Sequence, residues 1–339
     1  MRNLLILPLV LSLGSGCATL GVGSGDNTRL YTYHSGEDGH LTSTWYVVTP
    51  RSAIVFDAPM LPVDVTSLQQ ELRVNTNAPV TDIFITSSAP ESWAGAGLLT
   101  SLTGATLWSS QATADAIAED GPTELESLRG VMEGAPMVTV EPSDTFEDER
   151  NYWSHGLRMT AWDAGAGPAG AATVIWLPQV ETLVCGALVF NGVHPRVQGG
   201  RSQVWLETLE TLSDVDARRI LPGSGAPGGP ELIQGAILYL RTLQEEVTRQ
   251  NPEGVTLSEE VQAGIEDTMM GMWPTWGLSQ HLGPSIQDEW VRQGGQLVNS
   301  TPEAVLPATE PPPTPASDAA SPAQPDTASP AQPDTAPSP

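Results

Sequence analysis

Short apolar runs of strand length alternate with helix-length amphipathic segments through most of this 339-residue chain. Two runs, Ser43–Val48 and Ala53–Asp57, are joined by a Thr-Pro-Arg-Ser turn, and three apolar residues on one face indicate a helix over 65–74. Further strands are predicted at 80–85, 106–108, 137–140, 157–162, 173–177, 182–190 and 219–222, and further helices at 112–119, 204–212 and 231–249. Strands and helices in this alternation predict an α/β fold around one substantial core.

The amino-terminal residues have the layout of a secretory signal. A positive charge at Arg2 precedes an apolar run over 4–13, and Gly14-Ser15-Gly16-Cys17 follows. The run is too short to span a bilayer as a helix. Small residues directly before Cys17 resemble a bacterial lipobox, which implies cleavage after residue 16 and lipid attachment to Cys17. An ordinary signal peptide followed by a chance cysteine is the alternative.

The lipobox resemblance implies a location. We expect 1–16 to be a lipoprotein signal peptide, 17–40 to be the lipidated cysteine with a linker, and the protein to be lipid-anchored in a bacterial cell envelope. Ala18 follows the cysteine, and the absence of Asp there favours the outer membrane, facing the periplasm or the surface, by resemblance to the sorting preference of enteric bacteria. The membrane is then a partner through the anchor on Cys17, and a further partner, either a protein or a small-molecule ligand, is unknown.

Residues 299–339 form a segment rich in Pro, Ala and Ser with an eight-residue repeat, Ser321–Ala328 and Ser329–Ala336. Too few large apolar side chains remain there to offset the entropy lost on ordering. The composition therefore predicts a disordered tail. An inert solubilising role and a spacer role are both open, and a further hypothesis is that the tail is the working part of an envelope protein.

The net charge excludes one class of partner. The chain has 14 basic and 40 acidic residues, a formal charge of −26, and every basic residue is arginine. Such a surface repels phosphate backbones, so we expect no nucleic acid partner. Cys17 and Cys185 are the two cysteines, and acylation of Cys17 leaves no intrachain disulfide. Cys185 lies in an apolar run and is predicted to be a buried thiol.

Five sequence landmarks follow one another in the order of a known superfamily. They are Val55-Phe56-Asp57-Ala58, the loop Thr86–Trp93, Trp176-Leu177-Pro178, the run Cys185–Phe190, and Leu221-Pro222-Gly223-Ser224-Gly225. The chain resembles the metallo-β-lactamase superfamily over residues 41–298. The resemblance implies a four-layer αββα sandwich with a helical extension from about residue 255, where Thr256-Leu257-Ser258-Glu259 fits a capping box.

Members of this superfamily hold a dinuclear centre, with zinc or iron, on histidines and carboxylates from four loops. The matching positions in this chain are Ser87, Ala89, Glu91 and Ser92 in the first loop, Pro168 in the second, Ala187 in the third and Ser224 in the fourth. Alanine and proline cannot coordinate a metal, and serine is a poor neutral ligand. The resemblance therefore implies a degenerate member, with no metal or other cofactor and no catalytic residues at these positions.

The candidate pocket residues around the former metal site are Asp57, Glu91, Trp93, His194 and Ser224. A rearranged metal site made by His155 and His194 with Asp57 and Glu91, and a serine nucleophile with His194 as its base, are two alternative sources of activity. His34 and His40 lie near the linker and are expected to be exposed to solvent. The preferred function is a non-catalytic binding or structural module, and the alternative is an active hydrolase with an altered metal or serine-based site.

Overall fold

The computed structural model describes residues 28–130, 139–154 and 156–298. The predicted signal peptide, Cys17, His155 and the tail from residue 299 lie outside these residues, as does the first half of the predicted strand 137–140. Within the described ranges, no helix has both the length and the apolar character that crossing a bilayer requires.

Two β-sheets form the centre of the fold. The strands of the first are β1 (Arg29–His34), β2 (Ser43–Val48), β3 (Ala53–Phe56), β4 (Val80–Phe84), β5 (Thr106–Ser110) and β6 (Asp144–Phe146), hydrogen-bonded in that order. The strands of the second are β7 (Glu149–Ser154), β8 (Leu157–Ala166), β9 (Ala171–Leu177), β10 (Thr182–Phe190) and β11 (Arg219–Ser224), in the order β11-β10-β9-β8-β7. The first sheet is antiparallel at β1–β2 and β2–β3 and parallel from β3 to β6, whereas the second is antiparallel except at β10–β11.

Helices cover the outer face of each sheet. Those on the first sheet are α1 (Pro62–Asn75), α2 (Pro90–Trp93), α3 (Ala96–Thr103) and α4 (Gln111–Ser127). Those on the second are α5 (Ser202–Leu212), α6 (Glu231–Arg249), α7 (Glu259–Met272) and α8 (Leu282–Arg292). The order of layers, helix, sheet, sheet and helix, confirms the predicted αββα architecture and its helical extension.

Side-chain alternation along the strands divides the interior into separate cores. In β2, Trp45 and Val47 face the core between the two sheets, whereas Tyr46 and Val48 face the helices of the first sheet. Successive side chains of a strand point to opposite faces of the sheet, so a strand covered on both faces has no polar side. This is why the last four residues of β2, 45–48, form a continuous apolar run. In β10 the thiol of Cys185 is buried in the core under α5 to α8, as predicted.

The prediction that residues 17–40 form a linker is wrong for residues 28–40, the part that the structure describes. Residues 29–34 form β1, which pairs antiparallel with β2, and the next turn continues into the site described below. The reason is packing, because Leu30, Tyr31 and Tyr33 are buried at this edge of the sheet. His34 is half-buried, and its Nδ1 lies 3.0 Å from Oγ of Ser43, so the expectation of an exposed His34 is also wrong.

The helical extension starts from a different cap than expected. Ser258, not Thr256, is the N-cap of α7, and its hydroxyl accepts a hydrogen bond from the backbone N–H of Val261 (3.2 Å). The capping hydroxyl satisfies an otherwise free N–H of the first turn. Helix α8 is anchored by Trp290, which is buried and donates from Nε1 to the carbonyl of Val255 (3.0 Å).

Candidate functional site

The loops after β3, β4 and β10, with the end of β11, meet at one edge of the two sheets around a cavity of about 90 Å³. A cavity of this size has room for several water molecules or one small chemical group. Six of the seven positions aligned with superfamily metal ligands line it: Ala89, Glu91, Ser92, Pro168, Ala187 and Ser224. The seventh, Ser87, is buried, and its hydroxyl accepts a hydrogen bond from the N–H of Ala89 (3.1 Å).

Asp57 joins the ends of β3 and β4 beneath the cavity. Its carboxylate accepts two hydrogen bonds from Thr86, one from the backbone N–H (2.7 Å) and one from the hydroxyl (2.6 Å). Burial raises the pKa of Asp57 to about 7, although the hydrogen bonds from Thr86 and Ser92 act to lower it. The residue has φ of 66°, a left-handed backbone that aspartate tolerates better than most residues. These contacts give Asp57 a structural task at the base of the cavity.

The close approach of the two sheets at this edge requires a glycine. Gly186 in β10 has φ of 50°, and a Cβ there would overlap Oγ1 of Thr86. Only glycine combines a positive φ with no side chain at such a contact. Because Gly186 has no side chain, the backbone of β10 at Gly186 and Ala187 can lie close to the loop that follows β4.

A histidine–glutamate pair forms the polar side of the cavity. Nδ1 of His40 lies 2.7 Å from Oε1 of Glu91, and the two side chains are 16% and 17% exposed. Burial acts to raise the pKa of Glu91, but the hydrogen bond and charge of His40, assisted by the charge of Arg196, hold that pKa below its ordinary value. Glu91 is therefore ionised at neutral pH and is the acceptor in this bond.

Two more histidines complete this side. The ring of His281 packs edge-on against that of His40, with 5.2 Å between ring centres. Its Nδ1 lies 3.1 Å from the carbonyl oxygen of His194. Burial and the neighbouring charge of His40 lower the pKa of His281 to about 4. Burial also lowers the pKa of His194, whose Nδ1 lies 3.1 Å from the hydroxyl of Tyr239.

One arginine lines the cavity beside these rings. Arg196 forms an ion pair with Glu124 of α4, with 3.4 Å between Nη1 and Oε2. Gln198 donates to both carboxylate oxygens of Glu124 at 3.1 Å. The pair ties the loop after β10 to the helices on the first sheet and offsets the arginine charge.

The structure brings most of the predicted pocket residues together. Asp57, Glu91, His194 and Ser224 all line the cavity. Trp93 does not line the cavity, so the prediction that it is a pocket residue is wrong. Its side chain is buried in the core under the helices of the first sheet, and its Nε1 donates to the carbonyl of Ser88 (2.8 Å). A long apolar side chain on a helix beside a sheet is buried more favourably in that core than at a polar cavity.

Three cavity residues have no sequence signal. His40 was expected to be exposed near a linker, and His281 and Arg196 belong to no motif. His40 reaches the cavity because β1 is part of the domain, and His281 because α7 and α8 fold back over the second sheet. Arg196 reaches it from the loop after β10. Such proximity comes from tertiary packing and could not be found from local spacing.

The superfamily dinuclear centre does not fit these residues. Ala89, Pro168 and Ala187 offer no donor atom at the cavity, and the carboxylate of Glu91 is engaged by His40. In the part of the chain that the structure describes, no group of three or more His, Cys, Asp or Glu side chains is arranged to hold a metal ion. A dinuclear centre needs a larger set of converging nitrogens and carboxylates than the aligned positions supply.

Solved structures of metallo-β-lactamases share this fold. The metallo-beta-lactamase from Pontibacter korlensis is 17% identical with a TM-score of 0.53, over 67% of this chain and 99% of that protein. Metallo-beta-lactamase IND-7 is 18% identical with a TM-score of 0.54, over 66% and 98%. DIM-1 metallo-beta-lactamase exposed to ceftazidime is 18% identical with a TM-score of 0.52, over 67% and 97%. No family model and no curated protein matches the chain.

These matches and the converging loops define a domain with the metallo-β-lactamase fold, as the sequence resemblance implies. The likeness covers nearly the whole of each solved structure, so the complete fold is present rather than a fragment of it. At this level of identity the likeness concerns the fold, and the chemistry of the cavity has to be argued from its own side chains.

Proposed function

We propose that this protein is a lipid-anchored envelope protein whose metallo-β-lactamase-like domain is a non-catalytic binding module. One observation carries the proposal. Four loops converge on the cavity, yet three of the positions aligned with metal ligands hold the donor-free side chains Ala89, Pro168 and Ala187. Loss of metal ligands from separate loops, in a fold that is otherwise complete, is expected of a domain that no longer catalyses hydrolysis at a dinuclear centre.

The lining of the cavity supports a binding role. Apolar walls from Val189, Phe190 and Leu278 lie beside the polar groups of Ser92 and Ser224. Apolar walls with a few convergent polar groups are typical of ligand sites, although this cavity is much smaller than the usual 300–1,000 Å³. The ligand that fits is therefore small, or enters only through one of its groups.

A hydrolysis assay tests the non-catalytic role. The purified full chain, first stripped with a chelator and then supplied with excess Zn²⁺, is assayed against β-lactams, esters, thioesters and phosphodiesters. We expect no turnover above that of a blank. Turnover that is retained by Glu126→Gln, an exposed control, and abolished by Glu91→Gln would overturn the proposal.

The envelope location has its own test. Labelled palmitate should be incorporated by cells that express the full chain and be lost in Cys17→Ser, with the protein moving from the membrane to the soluble fraction. Cys185→Ser is the matched control, because the thiol of Cys185 is buried in the domain. Equal labelling of the wild type and Cys17→Ser would contradict the anchor.

A second candidate function is hydrolysis through an altered site, and the pair formed by His40 and Glu91 favours it. A carboxylate that orients an imidazole is a recurrent feature of general-base catalysis. His40→Gln distinguishes the two candidates. In a hydrolase that uses His40 as its base, the substitution would abolish turnover, whereas a binding module would have no turnover in either the wild type or the variant.

A further inference from the structure

The rings of His40 and His281 are both oriented through Nδ1. The acceptor for His40 is the Glu91 carboxylate (2.7 Å), and the acceptor for His281 is the carbonyl of His194 (3.1 Å). An ionised carboxylate and a carbonyl can only accept, so Nδ1 of each ring is the protonated nitrogen and donates. When a ring is neutral, its Nε2 is then left with a lone pair, and a metal ion there takes the place of the proton that charges His40.

We propose that His40 and His281 bind one divalent transition-metal ion, of the zinc–copper class, through their two Nε2 atoms at the cavity. Neither histidine occupies a position aligned with a superfamily ligand. The inference goes beyond the proposed function, since a bound ion on this pair does not require hydrolysis.

The surroundings of the pair are those of metal-bound histidines. A histidine ligand almost always donates its other ring N–H to a carboxylate or a backbone carbonyl, which fixes the tautomer and the ring orientation. Here the two rings have one acceptor of each kind, Glu91 and the carbonyl of His194. Neither Nε2 has a hydrogen-bond partner among the described residues, and both rings line the cavity.

The separation of the rings also fits an ion between them. A tetrahedral zinc ion at about 2.05 Å from each Nε2 lies about 3.2 Å from each ring centre, and places the two centres about 5.2 Å apart. The observed distance between ring centres is 5.2 Å. The distance between the ring centres is therefore the one that an ion held by both Nε2 atoms requires.

The charge around the rings is compatible with a cation. Glu91 is ionised and in direct contact with His40, and the positive charge of Arg196 is offset by its ion pair with Glu124. Two protein ligands leave two positions of a tetrahedral ion for water or for an incoming small ligand. Nitrogen ligands of this type favour Cu²⁺ over Zn²⁺ in affinity.

Calorimetric titration of the full chain, without an affinity tag and stripped with a chelator, tests the site with Zn²⁺ and Cu²⁺. We expect one ion to bind per chain, and its binding to require both rings. The affinity should be at least about tenfold weaker in His40→Gln and in His281→Gln. Glu91→Gln, which removes the charged acceptor, should weaken binding by about tenfold. His34→Gln is the matched control, because His34 is half-buried and bonded to Ser43 but does not line the cavity, and it should bind like the wild type.

A measurement on the wild type guards against variants that fail to fold. In histidine-labelled protein, the imidazole ¹⁵N spectrum should show the Nδ1–H tautomer for His40 and His281, and Zn²⁺ should move the Nε2 signals of these two rings alone. No ion bound by the wild type, or equal affinity in His34→Gln and both cavity variants, would overturn the site. If the protein binds the metal but does not hydrolyse substrates, the proposed function still holds. If it neither binds metal nor hydrolyses substrates, the metal site is refuted and the proposed function still holds.

Discussion

His40 donates a hydrogen bond from Nδ1 to Oε1 of Glu91 at 2.7 Å and joins two parts of the chain that are 51 residues apart. His40 lies in the turn between β1 and β2, and Glu91 lies in α2, where the superfamily has its first metal-binding loop. With the two side chains only 16% and 17% exposed, the bond is mostly shielded from water. The pair therefore holds the turn between β1 and β2 against α2 on the polar side of the cavity.

Removal of the carboxylate should destabilise the fold. We expect Glu91→Ala to lower the free energy of unfolding by about 2 kcal/mol, the range for a shielded hydrogen bond to a charged group. Denaturant unfolding at pH 7 measures the loss. Glu126→Ala, in an ion pair with Arg129 whose side chains are 63% exposed, is the control and should have no measurable effect. Equal stability of Glu91→Ala and the wild type would show that the pair is not structural.

The same pair predicts a loss of stability in acid. The pKa of Glu91 lies below its ordinary value of 4.5 in the folded state. Its contribution is therefore fully present above the unfolded pKa and is lost as the pH falls through the folded pKa. The difference in unfolding free energy between the wild type and Glu91→Gln should shrink below about pH 4. A difference that is constant from pH 7 to pH 3 would contradict this.

The raised pKa of Asp57 predicts a pH dependence of stability that is opposite in sign to that of Glu91. Its folded pKa of about 7 lies above its ordinary value of 3.8, so its contribution is present below the unfolded pKa and is lost as the pH rises through about 7. The shift corresponds to roughly 4 kcal/mol between pH 4 and pH 8. Asp57→Asn should flatten this decline, as measured by denaturant unfolding across that range. Parallel curves for the variant and the wild type would be the contrary result.

His281 should remain neutral in mild acid. Burial and the charge of His40 lower its pKa to about 4, so its ring signals should not titrate between pH 5 and pH 8. The chain has five histidines, which makes assignment of the proton spectrum practical. In His40→Gln the pKa of His281 should rise, because the charge of His40, one of the causes that lower it, is removed. Titration of His281 near 6.5 in the wild type would contradict the buried, paired ring.

Much of the fold could be predicted because the strands at its centre have an unambiguous pattern. β2 was predicted with its observed bounds, Ser43–Val48, and so was α6, Glu231–Arg249. β6 and β7 were not, since most of their residues are polar. β7 is supported by contacts distant in sequence, with Arg150 lying 4.2 Å over the ring of Trp108. Edge strands stabilised in this way have no local periodicity to detect.

The candidate site was predictable where it depends on strand ends and not where it depends on packing. Ala89 follows β4, and Ala187 and Ser224 lie late in the parallel pair β10 and β11, so the carboxyl ends of parallel strands bring these three to one edge. Pro168 reaches the same edge from the turn between the antiparallel strands β8 and β9. His281 lies on a turn between α7 and α8, whose position over the second sheet follows from their buried faces. Local sequence gives the identity of such a residue but not its neighbours.

Gly186 provides the sharpest test of how the sheets are held at the cavity. It has φ of 50°, and a Cβ there would overlap the hydroxyl of Thr86, which is itself fixed by Asp57. Gly186→Ala combines a strained backbone with a steric clash against an immobile group, so we expect the unfolding free energy to fall by about 3 kcal/mol or more.

Gly235→Ala is the matched control for that substitution. Gly235 lies within α6, and a Cβ there would meet no heavy atom within 4 Å. Alanine favours the helix over glycine by about 1 kcal/mol, so this variant should be as stable as the wild type or more so. Thermal and denaturant unfolding of both variants measure the contrast. If Gly186→Ala proved as stable as Gly235→Ala, the two sheets would not depend on a side-chain-free contact at Thr86, and the cavity would have to be held open by other residues.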